Sequence, residues 1–290
     1  MQDALGDKDD DILRAVTGLE GGCVACGSTC GVATGGILGV GLMLEGQVCK
    51  GSIDDRAVLC AARDFMGWFH STHGSSICRE RTSVDFYKII GQIRYMLSPH
   101  KIMGCMRMTG RTINHLAYDD LPEPVDVFEN GCSAISCEDR HCAREVFQMV
   151  RERTGIGNHR LERIAVVLDG GVGLQGELCG ALAAAVMAMN LKFGYDSRST
   201  GYSSNLHAFL QGHLNLVRET TDSSFEVFAL GKGIVSEFTN RFGSVNCKKL
   251  TGTSFDNVNE FSSHIQQSDI CHEIMDFSAS LAVRVLSGQN

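Results

Sequence analysis

Apolar residues recur at intervals of three and four positions along much of this sequence, which is the spacing of an amphipathic α-helix. The pattern predicts helices over residues 54–70, 83–97, 101–118, 145–153, 160–168, 177–192, 204–218 and 270–286. Gly170, Gly194 and Gly243 are expected to end helices, because glycine is favoured where a helix stops. No segment shows the alternation typical of a strand, so we expect an all-α protein.

The helical pattern occurs twice, because residues 11–36 align with residues 160–185 without a gap. The matched pairs are Arg14/Arg163, Leu19/Leu168, Gly21/Gly170, Gly22/Gly171, Gly27/Gly176, Cys30/Cys179 and Gly31/Gly180. Two Gly-Ser-x-x-Cys segments, which end at Cys78 and Cys247, continue the match, and Cys105 and Cys271 each lie in a late helical run. An ordered series of matches indicates a duplication.

Two of the three prolines lie close together near the middle of the chain. Proline disfavours helix in the residue before it, so this segment reads as an extended linker. We therefore expect two repeated, cysteine-rich helical domains, residues 1–121 and 131–290, joined by a linker over residues 122–130.

One predicted helix, within residues 30–44, carries Gly35, Gly36, Gly39 and Gly41. Each glycine weakens a helix by up to about 1 kcal/mol, so a close contact with another backbone is expected to compensate. This small-residue face suggests a homodimer, although the two halves packing on each other could use the same surface. The apolar run, residues 31–44, is shorter than the roughly 18 residues that indicate a membrane span.

The composition narrows the function classes further. A net charge of −8 argues against a nucleic-acid partner, since phosphate binding needs clustered cations. The acidic N-terminus lacks the order of a signal peptide, so we expect no membrane association and a cytoplasmic location. Thirteen cysteines in such a chain are not expected to form a disulfide framework, because cytosolic thiols are normally reduced.

Four cysteines of the second half, Cys142, Cys179, Cys247 and Cys271, are far apart in sequence but lie near helix starts or inside helices. A helix N-terminus favours the thiolate form, which metals require. Four thiolates can hold an iron–sulfur cluster or a structural zinc ion. Zinc sites usually contain close Cys-x-x-Cys pairs, which these four lack, so an iron–sulfur cluster of unspecified nuclearity is the better fit.

The residues around these cysteines resemble the redox-active protein family that is defined by a C…GCAxxG…C…C pattern and includes relatives of split-Soret cytochrome c. The resemblance rests on Cys142-Ala143, the turn at residues 170–173, the segment 176–182 with Cys179, and the later Cys247 and Cys271. It covers residues 137–290 directly and residues 1–121 through the repeat. It implies an all-helical domain whose cysteines hold an iron–sulfur cluster for electron transfer, and a dimer. The chain contains no Cys-x-x-Cys-His motif, so covalent haem c is not expected.

The first half lacks the leading helix that would supply a counterpart of Cys142. Instead Cys23 and Cys26 replace Val172 and Gln175, which creates a Cys-x2-Cys-x3-Cys segment on a glycine-rich turn. A first site can be drawn from Cys23, Cys26, Cys30, Cys78 and Cys105, one more thiol than a cluster needs. Glycine in this turn would let backbone amides point at the cluster sulfurs.

The remaining candidates carry weaker signals. Cys132 and Cys137 form a Cys-x4-Cys-x4-Cys spacing with Cys142 that is equally compatible with linker cysteines, and Cys49 and Cys60 are interpreted as packing residues. Four histidines beside cysteines could ligate iron, but hydrogen-bonded or surface roles are favoured: His70, His73, His141 and His272.

The hypothesis is therefore an iron–sulfur-binding redox protein that transfers or stores electrons to an unidentified redox partner, rather than a conventional enzyme. Two alternatives remain open: a thiol–disulfide oxidoreductase that uses Cys23 and Cys26, and a zinc-stabilised interaction module.

Overall fold

The protein is a bundle of α-helices, seen in a computed structural model that describes residues 8–118, 140–195, 198, 202–217 and 226–288. The first half contains α1 (Asp10–Val16), α2 (Gly31–Cys49), α3 (Asp55–His73), α4 (Cys78–Thr82), α5 (Ile89–Met96) and α6 (Pro99–Tyr118). The second half contains α7 (Cys142–Thr154), α8 (His159–Ile164), α9 (Gly180–Phe193), α10 (Tyr202–Asn215), α11 (Val227–Phe242), α12 (Cys247–Thr251), α13 (Val258–Gln267) and α14 (Asp269–Leu286). These ranges contain no strand, so the expected all-α class is confirmed.

The order of elements repeats as the sequence alignment predicts. In both halves a short helix leads through one turn of 3-10 helix, Thr17–Leu19 or Ala165–Leu168, into a glycine-rich turn and then into a long helix. A single antiparallel bridge follows in each half, Thr29 with Ile77 and Leu178 with Asn246. The described part of the first half contains no counterpart of α7.

Each glycine-rich turn is a left-handed stretch of backbone. Five consecutive residues have positive φ in both repeats, from Gly21 to Ala25 and from Gly170 to Leu174. The left-handed conformation costs an L-residue roughly 1–2 kcal/mol, and Val24 (φ 49°) and Val172 (φ 65°) adopt it although they are β-branched. Surrounding packing must hold them in place.

The two halves interlock through these turns. A Cβ at Gly173 would lie within 3.0 Å of Ile37, Ala62 and Met66 in the first half, so the second turn is inserted between α2 and α3. Conversely, Val24 of the first turn lies against Gly231 of α11. The two repeats therefore share one core.

Helix α2 is the centre of the first half, and Gly36 and Gly41 allow the expected close packing, whereas Gly35 faces open space. The Phe65 ring lies against Gly36, and the backbone of Ile164 from the second half lies against Gly41, where a Cβ would be 2.9 Å from its carbonyl oxygen. The small-residue face thus serves contact between the halves. By length and composition α2 could also cross a membrane, alone among the described helices, but core helices of soluble proteins meet the same criteria.

Some predicted boundaries differ from the structure. The helix expected from residue 177 begins at Gly180, because residues 177–179 are extended and pair with residues 245–247. Of the helix expected over residues 83–97, only α5 (Ile89–Met96) forms, because the backbone at Lys88 is extended. The proposed linker, residues 122–130, lies outside the described residues.

Candidate cysteine-lined redox sites

The four cysteines singled out in the second half line one cavity of about 20 Å³. Each lies at the start of a helix: Cys142 and Cys247 are the first residues of α7 and α12, Cys179 is the N-cap of α9, and Cys271 is in the first turn of α14. The other walls are mainly apolar side chains: Leu250, Phe255, Phe261, Ile265 and Ile274. We call this cavity and its four cysteines the second site.

Backbone pairing places two of these thiols side by side. The Cys179 amide donates to the Val245 carbonyl at 2.8 Å, and the Cys247 amide donates to the Glu177 carbonyl at 2.6 Å. Gly180 then allows the third thiol to approach, because a Cβ there would lie 2.9 Å from Cys142 Sγ and 2.7 Å from a backbone oxygen.

Burial controls the protonation of these thiols. Although backbone amides of Leu182 and Ala181 favour the Cys179 thiolate, burial outweighs them and raises the pKa of Cys179 to about 11. Burial also raises the pKa of Cys142 and of Cys247 well above the usual value for a thiol, and to a lesser degree that of Cys271. The expectation that helix starts lower these pKa values was therefore wrong, because the loss of hydration dominates.

A buried acid–base pair adjoins Cys142. The Cys142 thiol donates to Asp169 Oδ1 at 2.9 Å, and His141 Nδ1 lies 2.8 Å from Asp169 Oδ2. Burial by itself lowers the pKa of His141, but its contacts with Asp169 and Asp55 raise it to about 9. The imidazolium is therefore the stable form at neutral pH, and its charge balances the carboxylate that contacts the thiol.

Equivalent positions in the first half bring together Cys30, Cys78 and Cys105. Cys30 is the N-cap of α2 and Cys78 is the first residue of α4. Their amides donate to the carbonyls of Ser76 at 2.7 Å and Ser28 at 2.8 Å, as in the second half. Cys105 differs from Cys271 because it lies in the interior of α6 rather than in its first turn. We call these three thiols the first site.

Cys26 and Cys23 occupy different places around the first site. The Cys26 thiol interacts electrostatically with Cys78, and burial raises the pKa of Cys26 to about 11. Cys23 is fully buried and interacts with Cys26 on one side and with Cys179 of the second site on the other. Cys23 therefore lies between the two sites.

Only some amides of the first glycine-rich segment point at sulfur: those of Cys26 and Ser28 favour the Cys26 thiolate. Those of Cys23, Val24 and Ala25 donate to carbonyls of residues 18–20 at 2.6–3.2 Å. The amides that favour the Cys30 thiolate come from Val32 and Ala33, in the first turn of α2. The expected role of the segment therefore holds at Cys26, whereas the amides of residues 23–25 are used within the left-handed backbone.

The weaker cysteine candidates differ in their burial and bonding. Cys49 is exposed at the end of α2, so its interpretation as a packing residue was wrong. Cys60 packs against the hydrophobic core, as interpreted, and is in addition disulfide-bonded. Cys132 and Cys137 lie outside the described residues.

Three of the four histidines near these cysteines, His70, His141 and His272, have hydrogen-bond partners, as favoured from the sequence, whereas His73 Nε2 is buried without one among the described residues. His70 Nε2 lies 2.7 Å from Ser76 Oγ, and His272 Nε2 lies 3.0 Å from the Ile265 carbonyl oxygen.

Three residues of the sites escaped the sequence analysis: Asp169, its first-half counterpart Glu20, and Tyr95. Burial raises the pKa of Glu20 to about 7, and its Oε1 is buried without a hydrogen-bond partner. The Tyr95 hydroxyl hydrogen-bonds with the Cys105 thiol, and burial followed by this contact raises the pKa of Tyr95. The sequence signal that could have pointed to Asp169 and Glu20 is that both copies of the repeat carry an acidic residue at this position.

The arrangement of paired cysteine sites agrees with a comparison against known families. The family described as "Putative redox-active protein (C_GCAxxG_C_C)" matches residues 1–118 and 140–285. The chain belongs to this family. No curated protein and no solved structure matches it.

The chain departs from the family's written motif at all three of its non-cysteine positions, since Ala183 and Thr34 stand where the motif has its second glycine. The motif has glycine before its second cysteine and alanine after it, whereas Cys179 follows Leu178 and precedes Gly180, and Cys30 likewise precedes Gly31. The crowding around Gly180 explains the glycine in the second half, since a methyl group would contact Cys142.

Membership of a redox-active, cysteine-rich family points to a metal or cluster cofactor, and the second site fits one in its chemistry. Four soft thiols surrounded by apolar side chains suit iron. Among the described residues no three His, Cys, Asp or Glu side chains are grouped to hold a metal ion. A cavity of about 20 Å³ holds about one water, so binding a cluster requires the surrounding side chains to move outward.

Proposed function

We propose that this protein binds one iron–sulfur cluster in each half and transfers or stores electrons. The observation that carries the proposal is the convergence of Cys142, Cys179, Cys247 and Cys271, from four different helices, on one apolar cavity. A cluster ligated by four thiolates would supply one-electron chemistry at this point. The redox activity of the family supports the proposal in general terms.

Iron binding would change the protonation state of the four second-site thiols. Their pKa values are raised by burial, so the four thiols are neutral when nothing is bound. Binding iron must release their protons, and the iron charge then compensates the buried thiolates. The apolar walls formed by Phe255, Phe261 and Ile274 exclude water from such a site.

For the first half we assign Cys30, Cys78 and Cys105 as ligands. Cys26 is the candidate for a fourth, because its thiol interacts with Cys78. Cys23 is placed between the sites and is not assigned as a ligand. A cluster with three or four cysteines here would lie beside Tyr95 rather than beside a histidine–aspartate pair.

The two alternatives have less support. A thiol–disulfide oxidoreductase needs a thiolate nucleophile, whereas burial raises the pKa of Cys23 and of Cys26 and makes both thiols unreactive. A single zinc ion needs ligands about 2.0–2.3 Å from one point, and the described side chains form no such group. In a cluster, different iron atoms bind the thiolates, so the sulfurs need not converge on one ion.

Anaerobic purification followed by iron, zinc and acid-labile sulfide analysis tests the proposal. We expect iron and sulfide together, with broad visible charge-transfer absorption that disappears on chelation. Exposed Cys49 supplies a matched control, because Cys49→Ser should leave the iron content unchanged. Stoichiometric zinc in a colourless protein, or free thiols without any metal, would contradict the proposal.

The homodimer, the cytoplasmic location, the unidentified redox partner and the absence of nucleic-acid and membrane partners stay predictions. Light scattering that shows only a 31.4 kDa species across the accessible concentration range would exclude the dimer.

A further inference from the structure

An apolar groove of about 540 Å³ lies between α5 and α10, next to the first site. Its walls include Phe86, Ile89, Ile93, Tyr95, Leu210 and Leu214. This volume is within the range of small-molecule sites, which are concave, mostly apolar and contain a few polar groups. Gln92, His213 and Tyr95 are the polar residues of the lining, but the surface that they present to the groove is almost wholly apolar.

The groove is held open by a buried hydrogen-bond bridge. Gln92 Nε2 donates to the Phe86 carbonyl at 2.7 Å and to the His213 carbonyl at 2.8 Å, which ties α5 to α10. The Phe86 ring meets the Tyr95 and His213 rings edge-on, with centroids 5.2 Å and 5.8 Å apart. Both NH₂ hydrogens of Gln92 and the three rings are thus fixed before any ligand arrives.

The lining also sets the charge of the ligand. Among the described residues no Asp, Glu, Lys or Arg lines the groove. A charged ligand would lose its hydration there without gaining a partner. Ile89 and Ile93 nevertheless remain 55% and 52% exposed, which leaves large apolar side chains in contact with water.

The corresponding helix of the second half packs against the second-site cavity instead. By alignment from Phe86 and Phe255, Gln92 and Met96 correspond to Phe261 and Ile265, whose side chains are buried against the second-site thiols. In the second half these positions carry apolar side chains that face the cysteines. In the first half, Gln92 and Met96 at the same positions line the open groove.

Tyr95 connects the groove with the first site. Its side chain lines the groove and its hydroxyl hydrogen-bonds with the Cys105 thiol. A molecule in the groove would be separated from a first-site ligand by this one side chain.

We propose that this groove binds a neutral, planar, apolar molecule that carries a carbonyl or hydroxyl group, of the quinone class. The aromatic edges suit a flat ring, and the open side of the groove, where Ile89 and Ile93 are half exposed, would leave an oxygen substituent in contact with water. The choice of a redox-active ligand rests on the proposed function. Binding of a neutral apolar molecule in the groove does not depend on it.

The test uses duroquinone, which is neutral, apolar and fully substituted and therefore has no ring position open to addition by thiols. Equilibrium dialysis against the full-length protein, with and without its iron, gives the dissociation constant. We expect saturable binding in both forms. Ile93→Asp, which places a charge in the groove on a half-exposed side chain, should weaken binding at least about tenfold.

Ile90→Asp is the matched control, because Ile90 is 63% exposed on the same helix and does not line the groove. It should leave binding unchanged, and neither variant should alter the iron content. Absence of binding by the wild-type protein, or equal weakening by both variants, would overturn the proposal. A dimer that Ile93→Asp dissociates, with no duroquinone bound, would identify the face as a self-interface and overturn it as well. Saturable binding by a protein that contains no iron would support the groove and refute only the cluster.

Discussion

The two cysteine sites are built on the same repeated scaffold but differ in what covers them. At the second site α7 supplies Cys142 and packs against α9 and α14. At the first site the described residues include no such helix, and Met106 and Ile113 of α6 are 61% and 44% exposed. Their α14 counterparts by alignment, His272 and Ala279, are less exposed. One leading helix therefore distinguishes a covered site from a partly open one.

The difference extends to the acid that follows the 3-10 turn. Asp169 is buried and contacts Cys142 and His141, whereas Glu20 at the equivalent position has a buried oxygen without a hydrogen-bond partner. The Glu20 side chain is 37% exposed, has His213 Nδ1 only at 3.8 Å, and carries a carboxyl whose pKa is raised to about 7, whereas Asp169 is fully buried with His141 at hydrogen-bond distance. Loss of a helix changes the electrostatics of a site as well as its exposure.

The largest expected effect separates the sites by their iron. Cys179→Ser should remove the second-site iron and Cys30→Ser the first-site iron, because serine retains the size of cysteine but not its soft thiolate. Each variant should lose about half of the iron per chain, and the two remaining visible spectra should differ, since the surroundings of the sites differ.

Metal analysis with circular dichroism on the same samples checks this expectation and its folding control. If either variant loses all its iron while remaining helical, the cysteines of both halves serve one shared centre, and the comparison between two sites fails.

A smaller effect concerns the ion pair that only the second site has. Because the folded-state pKa of His141, about 9, is above its unfolded value near 6.5, its stabilising effect is complete below pH 6.5 and is lost as the pH rises through 9. Between pH 6 and 8.5 the metal-free protein should lose about 2 kcal/mol of unfolding free energy from this source.

Denaturant titrations at several pH values should show that His141→Gln lacks this part of the pH dependence. His159→Gln, in which the replaced side chain is 72% exposed, should retain it. Identical pH profiles for His141→Gln and the wild type would show that the imidazole is not held in its charged form.

The smallest effect compares the glycines after the two N-cap cysteines. A Cβ at Gly180 would lie 2.7 Å from a backbone oxygen, whereas at Gly31 the closest atom would be 3.1 Å away. Gly180→Ala should therefore be about 1 kcal/mol more destabilising than Gly31→Ala, as expected for overpacking. Thermal unfolding of both variants measures the difference, and the opposite order would mean that α7 does not approach α9 as closely as described.

Much of the fold could be predicted from local pattern. The three- and four-residue periodicity predicted α3, α6, α7 and α14 to within a few residues, since each buries one face. Helix α5 was predicted too long, because a turn at Asp85–Lys88 precedes it without interrupting the apolar pattern.

The cysteine set of the second site was predictable because the repeat aligned Cys179, Cys247 and Cys271 with three first-half cysteines. The pKa values of the second-site thiols could not be predicted from the sequence. Helix position suggests a lowered thiol pKa, and only the three-dimensional structure reveals the burial that reverses it. The role of Cys23 was equally hidden, since its placement between the sites depends on how the two halves pack.

The interlocked left-handed turns have a consequence for any attempt to divide this chain. Val24 and Gly173 each fill space in the opposite half, so a half expressed alone would expose that apolar surface to water. Two separately produced fragments would be expected to fold only when mixed, in the manner of a complemented enzyme split at a loop.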